Sequence, residues 1–252
     1  MKLLLDVGNT RAKWAWFDGG SLQGTGETYH RDRDFRDVAA ALPLAGPRPD
    51  AIVAASVAAP EVNAAFAGAF RRQWGLDLAF AVAERSACGV ENGYSEPRQL
   101  GVDRWLALLA AHHLHRGAAC VVDAGTAVTV DLVHAEGRHQ GGFIVPGLRL
   151  MEETLHRQTG GIEQAARWVT APGEAVPAPG QNTTACVRNG ALLAVSGLIR
   201  HGLSAARSAG TPAALVITGG DARRLIPSLA DLRPDHRPLL VLEGLALRHG
   251  AD

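Results

Sequence analysis

Apolar residues fall in short runs that switch between strand-like and helix-like spacing along the chain. Residues 2–7 and 11–17 are compact β-rich runs and predict two paired strands. Residues 31–42 predict a helix, and 43–50, rich in proline, predict a turn-rich break. Ile52 to Ser56 reads as a short buried strand. Pro60 suits a helix start, with the helix over 61–74, and a strand follows near 78–82. Residues 84–100 predict a polar loop. Asp103 is expected to cap a helix to about 115, with Trp105, Leu106, Leu108, Leu109 and His112 at helical spacing.

The second half repeats this order. Residues 119–124, 127–134 and 139–145 predict a three-stranded meander, and Pro146-Gly147 turns into a helix. Residues 171–180 predict a loop or lid hinge, 184–207 a long helix, 213–218 a buried strand and 239–249 a terminal helix. Strands alternating with helices predict an α/β architecture. The domain boundary is expected near 115–120, giving domains 1–117 and 118–252.

Within that alternation one phrase occurs twice. Leu4-Leu5-Asp6-Val7-Gly8-Asn9-Thr10 returns as Val121-Val122-Asp123-Ala124-Gly125-Thr126-Ala127, with Asp6 and Asp123 117 positions apart. In each, a buried strand ends in a carboxylate, glycine turns the chain and a second strand pairs back. The N–H groups of such a turn cradle an anion, and the adjoining Asp can hold a cation. Two copies suggest a duplicated domain closing on a nucleotide.

Composition narrows the class. The chain has 252 residues, 47% of them apolar, and zero formal net charge, so bulk electrostatics points to no nucleic-acid partner. Cys88, Cys120 and Cys186 have neither zinc nor disulfide spacing, which fits a reducing cytoplasm. The apolar N-terminus is too short for a signal peptide, and no run reaches a membrane span, so a soluble cytoplasmic protein is expected. Of 25 basic residues only Lys2 and Lys13 are lysine. A compact ammonium in the first hairpin suits a transferring phosphate.

The chemistry can then be placed. In the first hairpin Asp6 could orient Mg²⁺, while Gly8, Asn9, Thr10 and Lys13 could face β- and γ-phosphate oxygens. The plainer reading is ordinary turn chemistry; the second copy favours phosphate. There, Thr126 could donate to a phosphate with Asp123 facing the cation or the reacting centre, and Asp131 reads as structural. Gly141-Gly142 and Pro146-Gly147 read as close-packing and turn residues. Thr218-Gly219-Gly220-Asp221 ends a strand where α/β folds bind ligands, although a tight turn explains it equally well. Asp103 could be a general base and Arg104 an anion clamp, against the bland reading of a helix cap. The histidines at 112, 113 and 115 lack metalloprotease spacing and read as a solvated helix end. No P-loop, nucleophile-elbow or dinucleotide fingerprint is present.

Taken in order, Asp6-x-Gly8-Asn9-Thr10-x-x-Lys13, Gly101-x-Asp103-Arg104 and Asp123-x-Gly125-Thr126-Ala127 resemble the three signature motifs of type III pantothenate kinases, a family that includes Bvg accessory factors. Tyr94 with Pro97, Gly141-Gly142, Pro146-Gly147, Asn182-Thr183 and Thr218–Asp221 extend the resemblance over nearly the whole chain. It implies two ribonuclease-H-like domains of the actin, sugar-kinase and Hsp70 superfamily, with ATP in the interdomain cleft. It implies transfer of the ATP γ-phosphate to pantothenate, the first step of coenzyme A synthesis. By the same resemblance, Asp6, Val7, Gly8, Asn9, Thr10, Arg11, Ala12 and Lys13 bind ATP, with Mg²⁺ at Asp6. Thr126, Gly219 and Gly220 also contact ATP, Asp103 accepts the proton, and Asp123 binds a monovalent cation, K⁺ or NH₄⁺. Tyr94, Gly101, Val102, Asp103, Arg104 and Thr183 contact pantothenate, with Thr184 the adjacent alternative. The family is typically homodimeric. Glu96 stands where the family pattern has Asn before Pro97. Competing readings are a non-catalytic accessory protein, and another kinase or phosphatase of the same superfamily.

Overall fold

The computed structural model describes residues 1–30, 42, 46–158, 178–207 and 212–249. The helix expected over 31–42 lies outside these residues except at Leu42, as do 171–177 of the expected lid loop. The chain divides into two compact units, Met1–His113 with Leu239–Asp252, and Leu114–Pro238.

In the first unit, β1 (Lys2–Val7), β2 (Arg11–Phe17), β3 (Leu22–Tyr29), β4 (Ala51–Ser56) and β5 (Leu78–Phe80) form one sheet in the order β3-β2-β1-β4-β5. β1 and β2, then β2 and β3, pair antiparallel, whereas β4 runs parallel to β1 and β5 parallel to β4. Leu3, Leu4 and Leu5 are fully buried. Each removes about 2 kcal/mol worth of apolar surface from water, so both faces of β1 are covered. Helix α1 (Pro60–Trp74) opens on Pro60 and ends at a left-handed Gly75. Its Phe66, Ala69 and Phe70, at i, i+3 and i+4, join the sheet core with Trp14 and Trp16.

The expected loop 84–100 contains a small hairpin, β6 (Ser86–Ala87) with β7 (Val90–Glu91), and a 3₁₀ turn at Pro97–Gln99. Helix α2 (Val102–His115) follows, with Trp105 fully buried. Asp103 is not its N-cap: Trp105 N–H donates to the Gly101 carbonyl at 2.9 Å, so the helix starts on Gly101 and Asp103 sits inside the first turn.

The second unit repeats the topology. β8 (Ala118–Ala124), β9 (Ala127–Val133), β10 (His139–Pro146), β11 (Ala213–Thr218) and β12 (Asp235–His236) order as β10-β9-β8-β11-β12, with antiparallel pairs followed by parallel ones. The twice-written phrase therefore occupies the same place, the central strand and its hairpin, in both sheets. Helix α3 (Leu148–Gln158) leaves β10 directly. Helix α4 (Thr183–Ala206) is capped by Asn182, whose side chain accepts from Ala185 N–H at 2.8 Å. Its Val195, Ile199 and Leu203 recur every fourth residue and join the core of β8 and β9. A short helix α5 (Ala222–Leu225) follows β11.

A further difference from the sequence reading has a physical cause. β3 was not expected, because of its eight residues only Thr28 is buried; an edge strand this exposed shows no apolar alternation. The terminal helix α6 (Leu240–His249) packs on β1 and β4, so Leu239–Asp252 group with the first unit although they follow the second in sequence. Among the described residues no helix is long and apolar enough to cross a membrane.

Candidate active site

In the first hairpin, Asp6 and Lys13 are directly opposed in the β1–β2 register. Opposed residues of an antiparallel pair project to one face, so carboxylate and ammonium share a side of the sheet. The strands are joined by Gly8, Asn9 and Thr10, and Gly8 N–H donates to the Arg11 carbonyl at 3.0 Å. Asn9 is exposed, Val7 and Ala12 are buried, and Gly8, Thr10 and Arg11 are half-buried. Arg11 pairs with Glu27 at 2.8 Å and stacks over the Tyr29 ring.

His30 pins this turn and was not anticipated. It is buried, its Nε2 bonds the Gly8 carbonyl at 2.8 Å, and its own N–H donates to the Thr10 carbonyl at 3.1 Å. A lone histidine after an exposed strand carries no signal of that task in sequence.

Of the residues expected around the acceptor, Gly101, Val102, Asp103 and Arg104 lie at the start of α2 with Tyr94 bonded to Arg104, whereas Thr183 lies on α4 in the second unit. The Asp103 carboxylate accepts Arg104 N–H at 2.8 Å. Arg104, buried, donates from Nη1 to the Tyr94 hydroxyl at 3.1 Å and lies 5.8 Å from that ring's centroid. The positive end of the helix favours a carboxylate at this first turn. Gly101 and Val102 supply its backbone.

Tyr94 is held from behind. Arg85 donates to the carbonyls of Asn92 at 3.5 Å, Tyr94 at 2.9 Å and Ser95 at 2.7 Å. Buried Asn92 donates to Glu84 and Pro97 carbonyls and accepts Tyr94 N–H at 3.0 Å. Glu84 in turn takes two bonds from Arg248, which hold its carboxyl below the usual carboxylate range. Arg85 and Asn92 were also missed, since their partners are backbone atoms.

In the second unit Asp123 lies in register with Thr129 on β9 and Thr218 on β11. Its hairpin turn is only Gly125-Thr126, one residue shorter than the first, so Thr129 rather than Val130 opposes the carboxylate. Thr126 is exposed. The Gly219-Gly220 turn lies against the same strand end: Asp221 N–H donates to the Ala124 carbonyl at 2.8 Å. Gly219 has φ +95°, and a Cβ there would collide with the Ala124 backbone. Asp131, read as structural, is buried and bonds His139 at 3.1 Å. Thr183 and Thr184 are both exposed on the first turn of α4. No group of three or more His, Cys, Asp or Glu suited to a metal occurs among the described residues. Divalent metal here would need phosphate and water ligands beside one carboxylate, the usual manner of Mg²⁺.

Comparison with known proteins identifies the family. A family model described as type III pantothenate kinase matches residues 2–205. A type III pantothenate kinase of Alkalilimnicola ehrlichii is 40% identical over 97% of this chain and 96% of that protein. Among solved structures, one described as a conserved Baf family transcriptional activator from Campylobacter jejuni superposes with TM-score 0.59 at 19% identity, covering 96% of this chain and 94% of that one. One described as a 2-dehydro-3-deoxygalactonokinase from Sinorhizobium meliloti gives TM-score 0.50 at 14% identity, covering 98% and 97%. The duplicated sheet is thus the fold these solved structures share, and the chain belongs to the type III pantothenate kinase family.

Proposed function

We propose that this protein transfers the γ-phosphoryl group of ATP to the primary hydroxyl of pantothenate, giving ADP and 4′-phosphopantothenate at the entry to coenzyme A synthesis. The observation that carries the reading is Asp103 in the first turn of α2, beside the Arg104–Tyr94 pair, in a chain of this family.

Asp103 takes the hydroxyl proton as the pantothenate oxygen bonds to the γ-phosphorus and the bond to the β-phosphate oxygen breaks. In a loose transition state its main task is to aim that hydroxyl. Tyr94, Gly101, Val102, Arg104 and Thr183 contact pantothenate. The turn Gly8–Thr10 and Lys13 face the phosphates, and Thr126, Gly219 and Gly220 meet the rest of the nucleotide. Asp6 would hold Mg²⁺, which when bound neutralises charge on the β- and γ-phosphates. Asp123, in register with two threonines, offers an oxygen donor set that fits a monovalent cation such as K⁺ or NH₄⁺. The protein works as a homodimer in the cytoplasm.

The test is a mass-resolved assay with ATP, Mg²⁺, K⁺ and pantothenate. Wild type should form 4′-phosphopantothenate. Asp103→Asn should lose about 10²–10⁴-fold in kcat with little change in nucleotide affinity. Replacing K⁺ by Na⁺ should lower turnover. No product from wild type, with nucleotide still bound, would reject the reading.

A further inference from the structure

Glu152 is a buried carboxylate without an assigned task. It lies on α3, 2% exposed, and one oxygen accepts from Arg224 at 3.1 Å. The other, Oε2, is buried with no hydrogen-bond partner among the described residues. Burial pushes this carboxyl up, against the pull of Arg224, with Arg188 and Asp221 also in its field. A carboxylate so placed is a poor source of stability, since an apolar side chain of similar volume does as well or better.

Its connections explain the expense. Arg224 reaches Asp221 at 3.5 Å, Asp221 N–H bonds the Ala124 carbonyl, and Ala124 leads into Gly125-Thr126. On the other side, Gly147 N–H donates to the Thr126 carbonyl at 2.9 Å, and α3 starts there and returns to Glu152. The contacts close a ring within the second unit. Thr126 sits on it and Gly219-Gly220 adjoin it at Asp221, while Glu152–Arg224 is its ion pair between α3 and α5, the helix that follows the Gly219–Asp221 turn.

We propose that Glu152 is a positioning residue for the nucleotide, acting through Arg224 to hold the Gly125-Thr126 and Gly219-Gly220 turns in one arrangement. This rests on the reading of those turns as nucleotide contacts. Glu152 touches neither substrate; it fixes the groups that do.

Steady-state kinetics with ATP and pantothenate varied separately tests this, beside a thermal melt of each variant. Glu152→Met should raise KM for ATP about 10-fold, with kcat and KM for pantothenate within about threefold of wild type. Glu152→Gln, which keeps shape and one acceptor for Arg224, should fall between, at about threefold. If the Met variant does not fold, the Gln variant decides. An unchanged ATP KM in folded Glu152→Gln, or an equal loss in every parameter, would overturn the proposal. Thr126→Ala separates the two readings. If it raises the ATP KM while Glu152→Gln does not, only the positioning role falls. If Thr126→Ala leaves that KM unchanged, the nucleotide reading of these turns falls and the proposal with it.

Discussion

Lys13 is one of two lysines in a chain with 25 basic residues, and it stands opposite Asp6 across the β1–β2 pair. The pairing of the two strands was legible in sequence from their apolar runs, but the register was not, since the second copy of the phrase turns one residue earlier. On the proposed function, an ammonium facing the phosphates stabilises charge that builds during transfer, and a single such group is commonly worth about 10²-fold. Lys13→Ala should therefore lower kcat/KM for ATP by about that factor, with Lys13→Arg less damaging. Kinetics indistinguishable from wild type in Lys13→Ala would remove this side chain from the site. His30, Arg85 and Asn92 were not legible. Each acts on backbone carbonyls of the turn or loop it supports, and a carbonyl is the same at every position. Only folding shows which carbonyls lie within reach.

The two hairpins come from one phrase, yet they differ in turn length and in the residue that opposes the carboxylate. Gly8–Thr10 spans three residues and brings Lys13 against Asp6; Gly125-Thr126 spans two and brings Thr129 against Asp123. The repeated strands were readable from their apolar runs, whereas β3 was not, because an exposed edge needs no alternation. The second turn is also packed against its neighbours more tightly than its sequence suggests. A Cβ on Gly147 would collide with the Gly125 carbonyl and lie 2.6 Å from the Thr126 carbonyl oxygen, both backbone atoms that cannot swing away. Gly147→Ala should cost about 1–3 kcal/mol in urea unfolding and weaken ATP use together. Gly190, on α4, has nothing within 4 Å of such a Cβ. Gly190→Ala should be neutral or stabilising by up to about 1 kcal/mol. Equal effects at the two glycines would show that the close approach at Gly147 does not constrain the turn.

Across the whole molecule, the end of the chain returns to the first unit. Helix α6 was recognisable as a helix, but Leu240, Val241, Leu242, Leu245 and Ala246 form an apolar face that does not name its partner. Besides that packing, polar links close the unit: Lys2 Nζ donates to the His249 carbonyl at 2.6 Å, and Arg248 grips Glu84 at 2.7 and 2.9 Å. The Glu84 link is also tied to the loop that carries Tyr94, whose Asn92 bonds the Glu84 carbonyl. Because Arg248 lowers the folded pKa of Glu84, the pair adds stability above the unfolded carboxylate value of about 4.3. That stability is lost as pH falls through the still lower folded value. Both side chains are about a third exposed, so solvent screening limits the effect to under about 1 kcal/mol. Urea unfolding of wild type and Glu84→Gln should thus differ by about 0.5 kcal/mol at pH 7. The gap should narrow steadily below pH 4, as Glu84 in wild type takes up its proton, and shrink in high salt. A gap that holds constant from pH 7 to pH 3 would mean that Glu84 supports α6 by packing and hydrogen bonding alone, with its charge contributing nothing.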